Sequence, residues 1–167
     1  AEDKVDVYED VLGSYLMKLS ARSMTEIDSQ EVTKLLYMIG DFERISDHAL
    51  NVCESAKEKY EKGLEFSETA KAEVNVFSGA IKEIVSIAID TFVREDLQEA
   101  RDVEPLEDVV DKLNVKMKRR HVERLRQGVC TIEMGFILSD ITTNYERIAD
   151  HCSNIAVSIL QKEDEFD

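Results

Sequence analysis

Apolar residues recur three and four positions apart along nearly the whole chain, the spacing that lines one face of an α-helix. The first such stripe is Val5, Tyr8, Leu12, Tyr15 and Leu19. It breaks over residues 20–27, where Thr25 followed by Asp28 has the form of a capping box. A second stripe runs through Val32, Leu35, Leu36, Ile39, Phe42, Ala49, Cys53 and Ala56, with Gly63 as its stop and Ser67 as the next cap. Val74, Phe77, Ile81, Ile84, Ala88 and Phe92 predict a third helix that fades at residues 94–96. A fourth carries Leu106, Val110, Leu113, Met117, His121 and Leu125 and ends at Gly128. Pro105 fits its first turn, or a bend just before it. The fifth runs from Met134 through Ile141 and Ile148 to Ile159, and the polar tail 162–167 is expected to fray.

The prediction is an all-α chain of five helices, two of them longer than 30 residues, joined by short loops. Short loops make neighbours antiparallel, and this spacing suits bundle packing near about +20°. A helix of that length reaches about 50 Å, so the shape is an elongated bundle without a deep pocket.

Composition narrows the possible functions. One Pro and six Gly are too few for a turn-rich β-sandwich, and 43% hydrophobic residues are too many for a disordered chain. With 21 basic against 36 acidic residues the net charge is −15. That excludes a general nucleic-acid binder and direct docking on anionic lipid. Cys53, Cys130 and Cys152 form no C-x-x-C pair and read as reduced, small hydrophobes. No apolar run approaches the length of a membrane span. The chain opens on Ala1, already inside a helical pattern, and is expected to be part of something longer. No Gly-rich phosphate loop or Ser-His-Asp arrangement occurs, so the chain reads as a non-enzyme.

The chain repeats itself. Residues 42–51 read FERISDHALN and residues 145–154 read YERIADHCSN, an offset of 103. Upstream, Glu2-Asp3-x-Val5-Asp6 echoes Glu107-Asp108-x-Val110-Asp111, an offset of 105. One domain of 1–167 thus holds a first repeat over 1–63 with two helices and a second over 67–162 with three. The first repeat lacks a counterpart of the third helix, and its uncovered apolar face is expected to be covered by dimerisation or another contact.

Glu43 and Asp47, like Glu146 and Asp150, stand four residues apart on one helix face, where two carboxylates repel unless a cation lies between them. A preceding helix packed alongside would add Asp3 and Asp6, or Asp108 and Asp111. All-oxygen clusters of this kind suit hard cations such as ferric iron, Mg, Mn or Ca. The Glu-x-x-His of di-iron bundles is missing, which counts against a metalloenzyme or storage bundle. Arg44 and Arg147 are expected to pair with carboxylates of a neighbouring helix. His48, His151, Asn51 and Asn154 are expected to make helix–helix hydrogen bonds. The basic stretch Lys116–Arg126, which includes His121, reads as a solvated face or salt-bridge row, with an acidic partner as the lesser alternative.

Two Glu-Arg-Ile-x-Asp-His-x-x-Asn segments, each preceded by an acidic helix with Asp-x-x-Asp spacing, resemble the PhoU family of phosphate-uptake regulators. The resemblance implies tandem three-helix bundles. It also implies multinuclear clusters of iron, zinc or another divalent metal held by Glu43, Asp47, Glu146 and Asp150. Asp3, Asp6, Asp108 and Asp111 match the neighbouring ligands, and Arg44, Asn51, Arg147 and Asn154 match the rest of the motif. The segment His121-x-x-Arg124-Leu125-x-x-Gly128-x-Cys130 more narrowly resembles the cytoplasmic tail of bacterial sodium–phosphate cotransporters. The implied function is a metal-binding regulatory domain of such a symporter. It would sit at the inner face of the cell membrane, with the transporter domain or its Lys/Arg-rich cytoplasmic loops as partner. The alternative is a free-standing PhoU-type negative regulator of phosphate uptake and signalling.

Overall fold

The computed structural model describes residues 2–161; the expectation for the tail 162–167 lies outside them. All regular structure among the described residues is helical: α1 (Glu2–Ser20), α2 (Glu26–Glu61), α3 (Glu68–Arg94), α4 (Leu97–Arg126) and α5 (Ile132–Leu160). The helix starts follow local chemistry. The Thr25 hydroxyl accepts from the Asp28 N–H and the Asp28 carboxylate accepts from the Thr25 N–H, satisfying two otherwise orphaned donors. Ser67, Asp96 and Thr131 cap α3, α4 and α5 through their side-chain oxygens. Gly63 and Gly128 follow α2 and α4 with positive φ, where a Cβ would be strained.

Two boundaries differ from the sequence reading. Pro105 marks neither a start nor a bend; it lies inside α4, which begins at Leu97. The chain reverses instead at Glu95, in the left-handed region at φ 52°, and Asp96 caps the new helix. Pro105 is exposed, and α4 stays helical around it. Only α2, at 36 residues, exceeds 30; α5 has 29, because it starts behind its Thr131 cap and stops at Leu160.

Helices α3, α4 and α5 pack on one another, α2 packs along α5, and among the described helices α1 packs on α2 alone. The main core joins Phe77, Ile84, Val103, Val110 and Ile137 with Ile141, Ile148 and Cys152. Phe77, Ile84, Val103 and Val110 have no exposed surface, each contributing about 1.5–3 kcal/mol of burial. A second cluster, Met38, Ile155 and Ile159, glues α2 to α5, and the Phe42 and Phe92 rings meet edge to face at 5.1 Å.

The expected uncovered face lies on α1. By the offset of 105, Leu12 corresponds to Met117. Met117 lies against α3 and α5 and is 3% exposed, whereas Leu12 is 46% exposed. Val7, Tyr8, Val11 and Tyr15 are exposed with it.

Candidate metal centre

The repeated segments face each other along an antiparallel α2–α5 pair, with Lys62 bonded to Glu133 at one end and Tyr37 beside Ser158 at the other. At its middle the contacts obey the repeat offset. The Asn144 Oδ1 accepts from His48 Nδ1 at 2.8 Å and from Asn51 Nδ2 at 3.2 Å. The residue 103 positions earlier, Asp41, accepts through Oδ1 from His151 Nδ1 at 2.8 Å and Asn154 Nδ2 at 3.2 Å. The two imidazoles stack, centroids 5.7 Å apart. Both His and both Asn are thus spent on helix pairing, and their acceptors stand one residue before each motif.

The acidic residues lie on either side of this centre. At the first motif, Asp6 of α1 meets Glu43 and Asp47 of α2, one oxygen of each within 4.8 Å of the others. The Asp6 Oδ1 is buried and has no hydrogen-bond donor, a costly state for a carboxylate oxygen unless a cation occupies the site. Burial first, then the hydrogen bond and charge of Asp47, push the Glu43 carboxyl above its ordinary range, with Glu9 adding to the effect and Arg44 opposing it. Glu9, which sequence reasoning did not single out, acts on the cluster through its charge alone; its signal was its position three residues after Asp6. Asp3 is exposed and stands outside the convergence.

At the second motif the set differs. The Asn114 Nδ2 donates to Glu146 Oε2 at 2.6 Å, which ties Glu146 to α4. Asn114 corresponds to Glu9 by the offset of 105, so a neutral donor replaces a carboxylate. The group facing Asp150 is instead Glu107, also missed as a site residue. Burial first, then the charges of Asp111, Asp150, Asp108 and Glu104, raise its carboxyl. Asp108 and Asp111 are exposed, and Asp108 lies 3.5 Å from Lys112. Among the described residues, three carboxylates converge closely at the first motif only.

The arginines do not reach neighbouring helices as expected. Arg44 pairs with the adjacent Glu43 at 3.4 Å and Arg147 with Asp150 at 3.1 Å, because both are exposed beside a carboxylate of their own helix. The cysteines divide: Cys152 is buried, its thiol pushed up to about 12 by burial and then by Asp41, whereas Cys53 is exposed rather than core. Cys130 lies 3.6 Å from His121 Nδ1.

Fold and site define an all-α bundle in which two like helices pair through a shared polar centre, each carrying a Glu-x-x-x-Asp face beside an acidic helix. The chain belongs to the PhoU domain family, which matches residues 1–56 and 75–159. It is 30% identical over 129 residues to the phosphate-specific transport system accessory protein PhoU homolog 1 of Thermotoga maritima, covering 77% of this chain and 55% of that protein. It is 27% identical over 147 residues to the corresponding PhoU homolog of Aquifex aeolicus, covering 87% of this chain and 65% of that one. The chain therefore spans between half and two thirds of these relatives. The crystal structure of PhoU from Pseudomonas aeruginosa superposes with a TM-score of 0.90 over 98% of this chain and 78% of that one, at 24% identity, and shows the shared fold. No helix among the described residues is long and apolar enough to cross a membrane.

Proposed function

We propose that this chain is a non-enzymatic regulatory module of phosphate transport that holds metal ions on its carboxylate faces and acts by docking on a transporter. The relatives are named as accessory proteins of a phosphate-specific transport system, which favours the free-standing PhoU-type regulator over the symporter tail put first from the sequence. The observation that carries the metal reading is the convergence of Asp6, Glu43 and Asp47 around a buried oxygen without a donor. Three carboxylates with no nitrogen or sulfur ligand suit a hard cation. Iron leads by the resemblance, with zinc or another divalent metal as the alternative. The ion would neutralise the acidic face and brace α1 against α2. The second set would use Glu107, Asp111 and Asp150, with Asp3 and Asp108 outside the ligand sets. The acidic faces would suit the Lys/Arg-rich cytoplasmic loops of a membrane transporter as partner, and the module would then act in the cytoplasm at the membrane's inner face. The exposed α1 face would serve a homodimer as its contact surface.

Elemental analysis of protein purified without chelator or nickel resin tests this. Metal is expected in the wild type and lost from the first site in the Glu43→Gln/Asp47→Asn double variant, with the helical circular dichroism unchanged. A protein that stays empty after anaerobic iron or zinc loading, or a double variant that keeps its full metal content, refutes the metal reading.

A further inference from the structure

The basic stretch of α4 is not consumed by the function proposed above. It lines a groove of about 610 Å³ between the N-terminal half of α3 and the C-terminal half of α4. The walls mix two chemistries. Val76, Leu113 and Met117 give apolar surface, and Lys116, Arg120 and Arg124 give three cations against the carboxylates of Glu73 and Glu123. A cationic excess here is unusual in a chain of net charge −15.

The arginines are held in place. The Glu73 side chain, 11% exposed, accepts from Arg120 Nη1 at 2.7 Å through one oxygen and from Arg124 Nη1 at 2.9 Å through the other. One carboxylate thus orients two guanidinium groups and occupies only one nitrogen of each. The Arg124 side chain is 9% exposed, and its Nη2 is buried with no acceptor in the protein. A guanidinium N–H left without an acceptor in a buried setting is costly; the Nη2 is closed off from the groove as it stands, and a turn of the guanidinium toward the groove would let an anion's oxygen supply one. Lys116 lies on the same wall, exposed and with no ion pair among the described residues.

We propose that this groove is a binding site for a phosphate or phosphoryl dianion, gripped by Arg120, Arg124 and Lys116. Planar guanidinium groups match such oxygens in pairs, and the ammonium adds a point charge. The volume lies in the range of small-molecule sites of about 300–1,000 Å³, far larger than an inorganic ion needs. With its apolar wall, it favours a phosphoryl group carried on an apolar body. Arg120 and Arg124 lie 9 and 13 residues beyond Asp111 on α4, about 14 and 20 Å along the helix, and Lys116 five, about 8 Å; the Asp6–Glu43–Asp47 set lies on other helices, so anion binding can be read with the metal removed.

Isothermal titration calorimetry of the metal-stripped chain, with chelator present and ionic strength held constant, tests the site. Inorganic phosphate, ATP and adenosine are titrated separately. Arg124→Ala removes a buried ion pair and risks the fold, so the variants are the exposed Lys116→Ala and Arg120→Gln, each checked by circular dichroism. Saturable ATP binding, weakened roughly tenfold (about 1.4 kcal/mol) in each variant, is the expected result. Phosphate binding as tight as ATP supports the site and assigns it to the free ion; ATP binding without phosphate binding assigns it to a phosphorylated ligand. The proposal is overturned if neither anion binds at millimolar concentration, if adenosine binds as well as ATP, or if both variants bind like the wild type.

Discussion

Asp41 and Asn144 occupy equivalent places in the repeat but differ in charge, which makes Asp41→Asn and Asp41→Ala a controlled pair. Asp41 accepts hydrogen bonds from His151 Nδ1 and Asn154 Nδ2 on one oxygen. Asn144 does the same for His48 and Asn51 with a neutral amide, and its Nδ2 donates to the Asp140 carbonyl at 2.8 Å. In Asp41→Asn the new amide is expected to accept both bonds and to donate to the carbonyl of Tyr37, the residue 103 positions before Asp140. Only the charge assistance is lost, about 1 kcal/mol. In Asp41→Ala both bonds go, and the part-buried His151 and the exposed Asn154 lose their acceptor, about 3 kcal/mol. Urea unfolding followed by circular dichroism separates the two. With a slope of about 2 kcal/mol per molar, the midpoint falls by about 1.5 M for Ala and about 0.5 M for Asn. Equal losses for Asn and Ala would show that the charge, not the shared acceptor geometry, holds α2 to α5. A negligible loss for Ala would remove this centre from the forces joining the two repeats.

Gly135→Ala drives a methyl into the His121 ring, packed between α4 and α5; overpacking should cost about 1–3 kcal/mol, read as a lower urea midpoint. The Glu43 and Glu107 carboxyls are raised above their ordinary 4.5. The stability they contribute to the metal-free fold is therefore complete below that pH and is lost as pH rises through the raised values. Melting temperatures of chelator-treated protein should fall over that window more steeply than those of Glu43→Gln/Glu107→Gln, and metal affinity should rise with pH as these protons leave; parallel curves would refute the assignment. Iodoacetamide at neutral pH, followed by mass spectrometry, should label exposed Cys53 in the folded chain and leave Cys152 unlabelled, its thiol being buried and held near 12.

The helices were legible because their causes are local. Stripes such as Val74–Phe77–Ile81–Ile84 and caps such as Thr25 with Asp28 act within a turn or two, and the structure places the starts of α2, α3, α4 and α5 behind a capping side chain. Pro105 misled because a proline on an exposed helix face can be tolerated, whereas Glu95 reversed the chain with no Gly or Pro to announce it. The repeat exposed the motif carboxylates, but not how they sort. Glu146 belongs to Asn114, while Asp150 faces Glu107.

By itself the sequence determined the five helices, the duplicated acidic motif and a first repeat short of one helix, all set by periodicity and by residue types at fixed spacing. Tertiary structure decided which face meets which. Only the antiparallel register of α2 and α5 gives His48 and Asn51 their acceptor in Asn144, and His151 and Asn154 theirs in Asp41. Only the packing of α1 on α2 brings Asp6 to Glu43 and Asp47, and only the α3–α4 contact sets Glu73 between two arginines. Periodicity defines a helix's buried face but not the axial offset or rotation at which it meets another. Those follow from side-chain packing between segments distant in sequence, and the sites of this protein lie at such contacts.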